Sequence, residues 1–249
     1  MGSTGNSFGY GRAPSGGIPV ISLAGSLIFK GRTPSSYLTL TSGLALGSSS
    51  YTFETWFYNS NSTWDVPYGF LGGGSNGESG CISLFFSLSS SNTTNTFNTD
   101  RYGGLGATSY TFPVNISTNT WYHFALTRNS SRIESAFING IKATGCSGGT
   151  SPSGGQQTNS LDYFGLSRNI GDYYGATWKG YLTNMRVVIT SNVYDPTATS
   201  ITVPNRAPLS NVPNTRYLML GSNITLDSSG VQTLVANTGV TQSSSIKPF

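Results

Sequence analysis

Thr120-Trp121-Tyr122-His123-Phe124-Ala125-Leu126-Thr127-Arg128 is the stretch on which the fold turns. Side chains of an extended strand point alternately to its two faces, so Tyr122, Phe124 and Leu126 share one face and Trp121, His123 and Ala125 the other. Both faces are largely apolar. Such a strand belongs inside a sheet that is covered on both sides, or on one side by a sandwich partner and on the other by loops. Just downstream, Asn139-Gly140 separates the runs 132–138 and 141–144. Both turn residues tolerate the positive φ of a type I′ turn, so the two runs form an antiparallel hairpin.

The same texture extends in both directions. Short β-type runs at 36–40, 51–58, 81–88, 161–166, 181–190 and 215–220 are separated by turn clusters at the spacing of a sandwich or barrel. The good helix formers are scarce, while β-branched residues, aromatics and 32 glycines are abundant, which predicts an all-β protein. Only 9% of the 249 residues are charged, against roughly a quarter in an ordinary soluble domain. With 36% hydrophobic and 12% aromatic residues, the chain can build a packed core and does not read as disordered.

Residues 1–17 carry Gly, Ser and Pro without periodicity and read as an arm, which either orders against a neighbour or is a loose terminus. Residues 18–192 read as the sandwich. The segments 72–80, 89–99 and 145–160, nearly pure in small polar residues, read as exposed loops. Pro196, Pro204, Pro208 and Pro213 exclude a central strand or helix from 193–213, so the portion 193–249 begins with an extended strap before its last strands. The most apolar stretch, 18–29, is shorter than the ~20 residues that span a bilayer, and no membrane association is expected.

The net charge of +4 comes from 13 scattered Lys and Arg residues, with no stripe to track a phosphate backbone, so nucleic acid is not an expected partner. Cys81 and Cys146 are too few for a disulfide framework and read as buried thiols or as one bridge. The sequons at Asn61, Asn92, Asn115, Asn129 and Asn223 are no more than a chain this rich in Asn, Ser and Thr supplies by chance.

Catalytic chemistry finds little to work with. The single histidine, His123, has no Ser or Cys partner at strand spacing. The nine acids stand apart, without the paired carboxylates that a sandwich glycosidase aims at the sugar. Glu54, inside an apolar strand, either has a raised pKa and serves as a general acid or is held by structural hydrogen bonds. Asp100, Asp162 and Asp172 fall in or beside predicted loops, where they hold a calcium ion or form turns; no other cofactor is expected. Trp64, Tyr68, Tyr173, Tyr174 and Trp178 lie near predicted loops and are the candidate glycan contacts, unless they close the ends of the sandwich.

Tyr51-Thr52-Phe53-Glu54-Thr55-Trp56-Phe57-Tyr58 resembles the "FT-E-W-V" strand of laminin-G-like, concanavalin-A-like jelly rolls. Residues 119–128 are similar to that family's "W-Y-H-V-A" strand, Phe137-Ile138-Asn139-Gly140 to its "Y-V-N-G" hairpin, Leu161 to Leu166 to its "L-x-I-G" strand, and 180–188 to its "G-x-I-D-E-V-R-I-Y" strand. The acidic pair of the last motif is replaced by Thr183 and Asn184, a form similar to that of structural proteins of bacteriophages and large DNA viruses. Val193-Tyr194, Pro208-Leu209, 214–220, Asp227-Ser228-Ser229-Gly230 and Lys247-Pro248-Phe249 resemble the C-terminal pattern of those virion proteins.

The resemblance implies two antiparallel sheets of about six or seven strands each, with glycan or protein binding at the loop rim or the concave face and usually no catalysis. The expected function is therefore a non-enzymatic virion structural protein, made in a host cytoplasm and carried as a minor capsid, decoration or tail-associated subunit. Its expected partners are a major capsid or tail protein, further copies of itself and a surface glycan. The alternatives are a carbohydrate-binding, lectin-like module for host attachment and a glycoside hydrolase using Glu54.

Overall fold

The computed structural model describes residues 25–31, 36–60, 68–73, 82–86, 93–101, 106–147, 160–164, 178–204, 208–220, 227–231, 235–246 and 248. The arm 1–17, Cys81, Trp64, Asp172, Tyr173 and Tyr174 lie outside them. The described chain forms β1 (Ser26–Lys30), β2 (Tyr37–Ala45), β3 (Tyr51–Asn59), β4 (Tyr68–Gly73), β5 (Ile82–Phe86), β6 (Thr93–Arg101), β7 (Gly106–Ser117) and β8 (Trp121–Arg128). It continues with β9 (Glu134–Ile138), β10 (Ile141–Lys142), β11 (Gly145–Ser147), β12 (Ser160–Phe164), β13 (Lys179–Ile189), β14 (Thr215–Met219), β15 (Val235–Thr238) and β16 (Thr241–Ser243).

These strands make two antiparallel sheets of eight strands each, one or two more per sheet than the resemblance implies. The first has the order β10-β9-β8-β3-β13-β1-β16, with β14 also on β13, and the second the order β11-β7-β6-β5-β4-β12-β2-β15. As its apolar faces require, β8 is interior, paired with β3 on one side and β9 on the other. The hairpin at Asn139-Gly140 forms as expected, with φ of 47° and 81° at its two turn residues.

Two expected loops are strands. Most of the polar segment 89–99 belongs to β6, between β5 and β7, and the start of 145–160 is β11, paired with β7. Polarity misleads here because threonine is β-branched and suits a pleated surface, and a sheet asks only that alternate residues face inward. In β6 those are Phe97 and Thr99, both buried.

Between the sheets the core is aromatic. Phe57 of β3 is fully buried, with the rings of Phe86, Tyr122 and Trp178 at 5.1, 5.6 and 5.6 Å. Phe86 continues the contact to Phe97, which lies 4.3 Å from Phe124 of β8, so the two sheets are joined through ring contacts. At one end, Arg128 points inward, donates to the Gly47 and Ser49 carbonyls and lies over the Tyr51 ring. Nearby, Tyr51 and Tyr110 donate their hydroxyls to Glu134.

β13 has different neighbours along its length. Lys179–Leu182 pair with β1, whereas Met185–Val188 pair with β14. Between the two halves the register on β3 slips, and Asn184 takes a φ of 54°, a left-handed conformation that asparagine tolerates better than most residues. The chain then doubles back as a strap over the outer face of the first sheet, the face turned away from the core. Thr52 Oγ1 accepts from the Val193 amide, Thr127 Oγ1 donates to the Tyr194 carbonyl, and Ser135 and Lys142 donate to the Pro196 carbonyl. At the far side the Ile201 amide donates to the Gly140 carbonyl, and a β-carbon added to Gly140 would lie 2.5 Å from the Ile201 oxygen. Asn184 Oδ1 accepts from the Leu209 amide on the return. After β14, a short link through Gly239 and the buried Val240 carries the chain from the second sheet back to the first.

Candidate functional site

The one carboxylate inside an apolar strand sits under the strap. Alternation along β3 turns Phe53, Thr55 and Phe57 toward the core and Glu54 outward, opposite Arg186 on β13. Arg186 Nε and Nη2 donate to Glu54 Oε1 at 2.7 and 2.5 Å. Oε2 receives the Tyr194 hydroxyl at 2.7 Å and faces His123 Nε2 at 3.2 Å. Arg186 Nη1 continues to the Ser210 carbonyl of the strap, at 2.8 Å. Glu54 and His123 are both fully buried.

Burial alone would raise the Glu54 pKa. The His123 hydrogen bond, the Arg186 charge and the Tyr194 hydroxyl together outweigh it, and the net shift is downward. Burial and the Glu54 charge push the Tyr194 hydroxyl up, which keeps it a donor. A carboxyl ionised well below neutrality and sealed by four hydrogen-bonding atoms of its neighbours is poorly suited to act as a general acid. Glu54 is held by structural hydrogen bonds.

The lowered pKa makes Glu54 a source of pH-dependent stability. Its contribution is complete above the carboxyl's ordinary value of 4.5 and is lost as pH falls through the depressed folded-state value. The variant Glu54→Gln is expected to be less stable at neutral pH, and its stability should depend less on pH below 4.5 than that of the wild-type chain. Denaturation midpoints across the acid range check this.

Other candidate chemistry also resolves into structure. The two residues that replace the family's acidic pair brace the sheet: Thr183 Oγ1 donates to the Gly25 carbonyl at 2.8 Å, and Asn184 holds the strap. Asp227 accepts from the amides of Leu218 and Ser229, and Asp195 accepts from the Thr197 amide. Asp100, expected beside the loop 89–99, is within β6, and Asp162 lies in β12, where the run 161–166 is expected. Among the described residues no three His, Cys, Asp or Glu side chains converge to hold a metal ion.

Of the candidate glycan contacts, Trp178 is fully buried against Phe57 and packs in the core, so its ring is not offered to a sugar. Its nearness to a loop in sequence gives no measure of burial. Tyr68 opens β4. Trp64, Tyr173 and Tyr174 fall outside the described residues, as does Cys81, while Cys146 lies in β11.

A different set of aromatics comes together on the outer face. Register places Tyr181 of β13, Tyr58 of β3 and Trp121 of β8 side by side in one cross-strand row. Tyr58 lies 5.4 Å from Tyr181 and 5.5 Å from Trp121, with Trp121 and Tyr181 6.4 Å apart. All are half-buried, and Ile28 of β1, opposite Tyr181, extends the row. The sequence places each ring on a strand; only the pairing of strands distant along the chain assembles them.

Similar architectures are known. A crystal structure of a heptameric SAP-like pentraxin from Limulus polyphemus is 15% identical, with a TM-score of 0.52 over 72% of this chain and 80% of that one. A protein from Bacteroides ovatus, proposed to bind carbohydrate, is 16% identical with a TM-score of 0.57 over 89% of this chain and 60% of that one. At these identities the likeness is one of fold. No curated protein sequence matches the chain. The family model of the concanavalin A-like lectin/glucanases superfamily, in its laminin G form, matches residues 31–190, the portion that builds β2 to β13, and the protein belongs to that superfamily.

Proposed function

We propose that the protein is a non-enzymatic structural subunit of a virion, a minor capsid, decoration or tail-associated component assembled in the host cytoplasm. Its neighbours in the particle are a major capsid or tail protein and further copies of itself. The observation that carries this reading is the use made of the C-terminal pattern that resembles virion proteins. Tyr194 reaches Glu54, Leu209 is held by Asn184, and Asp227 caps the Leu218 amide of β14. The segments that carry the resemblance are thus integral to the sandwich, and the buried charges serve to fasten them. The sparse charge of the chain supports the reading too, because a Ser, Thr, Asn and Gly surface packs against neighbours without burying unpaired ions.

Particles purified from an infected host test it. Immunogold labelling and peptide mass spectrometry should find the protein on intact, salt-washed particles at constant copy number, and its absence from them overturns the proposal. A second reading, a lectin-like module that attaches the particle to host carbohydrate, is favoured by the half-exposed aromatic row of Tyr58, Trp121 and Tyr181. It is compatible with the first, since a decoration subunit can also be an adhesin.

A further inference from the structure

We infer that the row Tyr181, Tyr58 and Trp121, with Lys30 and Lys179 along its edge, is a binding site for an acidic glycan, one carrying carboxylate or sulfate groups. The inference rests on the lectin-like second reading above and assigns it a face, residues and a ligand class.

The geometry has three parts. Adjacent ring centroids lie 5.4 and 5.5 Å apart on three neighbouring strands, with Tyr58 tilted 79° to Tyr181 and 54° to Trp121, and backbone pairing holds the row. Rings tilted in this way offer a ridged surface of aromatic faces and edges to the apolar C–H face of a pyranose. The row also offers polar atoms at its rim: among the described residues, the hydroxyls of Tyr58 and Tyr181 and the indole N–H of Trp121 have no hydrogen-bond partner, so they remain available to sugar hydroxyls. This pairing of aromatic area with unengaged donors suits an amphipathic, hydrated ring better than an apolar protein knob.

The lysines supply the charge. β1 and β13 pair Ile28 with Tyr181 and, two residues along, Lys30 with Lys179. Alternation therefore puts both ammonium groups on the outer face beside the row, and both residues are exposed. Like charges directly opposite each other across two strands destabilise a sheet, and an anion seated between them reverses the sign of that term. Neither lysine pairs with a carboxylate among the described residues. Among the described residues, the backbone pairing and hydrogen bonds that dock the strap fall on Thr52, Glu54, Thr127, Ser135, Gly140, Ile141, Lys142, Asn184 and Arg186, leaving the row outside the area the described strap fastens.

Calorimetry and tryptophan fluorescence of the full chain with heparin-derived hexasaccharide, an oligouronate and a neutral glucan hexasaccharide form the test. Saturable binding of one or both acidic probes, with the neutral probe at least tenfold weaker, is expected. Trp121→Ala and Tyr181→Ala should each weaken binding about tenfold or more, because each removes aromatic area and a polar donor from the row. Lys30→Gln with Lys179→Gln should remove most of the salt dependence. Near-ultraviolet dichroism and melting of each variant separate lost binding from lost folding, and Trp121→Phe should retain part of the affinity. No binding of either acidic probe overturns the inference. So does binding that survives loss of both rings, which would be attraction of a polyanion to the lysines alone.

The result separates from the virion reading. Exclusion of the folded Trp121→Ala chain from particles would make the row a protein interface and overturn the glycan site while supporting the subunit role. Absence of the wild-type chain from particles would sink the subunit role and leave the binding result standing.

Discussion

Replacing Arg186 by methionine is expected to destabilise the protein by about 3–5 kcal/mol, read from denaturant unfolding at neutral pH. Arg186 is the formal positive charge that bonds Glu54, and it does so through Nε and Nη2 on one carboxylate oxygen. Without it, a fully buried carboxylate is left with the Tyr194 hydroxyl and the His123 ring. Removing one member of a buried ion pair costs more than the pair itself contributes, because the survivor stays desolvated and uncompensated. The double variant Glu54→Leu/Arg186→Met should therefore be markedly more stable than Arg186→Met alone. A double variant as unstable as the single would show that the lost bond to the Ser210 carbonyl, and the strap it anchors, matters more than the unpaired charge.

Phe57→Ala should cost a similar amount, about 3–5 kcal/mol, for an unrelated reason. The ring is fully buried toward the C-terminal end of the interior strand β3 and meets Phe86 of the opposite sheet, Tyr122 of the neighbouring strand and Trp178. Truncation forfeits transfer free energy and leaves a cavity whose walls are rings fixed on two sheets, so collapse around it is limited. An unchanged denaturant slope with a lower midpoint is expected, because the surface exposed on unfolding is nearly the same. A loss below about 1.5 kcal/mol would mean that the sheets close over the void.

Parts of this structure are legible in the residues alone, for local reasons. The two apolar faces of 121–128 place that strand in a sheet interior, and Asn139-Gly140 dictates its own turn chemistry. β6 is not legible in the same way, since its Thr and Asn composition resembles a loop until the alternation of Phe97 and Thr99 is set against a neighbouring strand. The candidate site depends on pairings that no local pattern carries. Glu54 meets Arg186 and Tyr194 across 132 and 140 residues, and its own strand says only that an acid occurs there. The aromatics chosen for their nearness to loops include Trp178, which is core, whereas the row on the outer face is built from aromatics that each read as ordinary strand residues.

The link through Gly239 and Val240 has a bearing on biosynthesis. β15 lies along β2 at the edge of one sheet, and β16 lies along β1 at the edge of the other. A ribosome delivers β1 and β2 well before their outer partners. Until residue 243 has been made, both early strands present unpaired backbone groups on one edge, with which a neighbouring nascent copy can pair. Pairings this distant along the chain also form slowly. Polysome crowding, and the holdase chaperones that shield strand edges, should therefore influence yield more than growth temperature does.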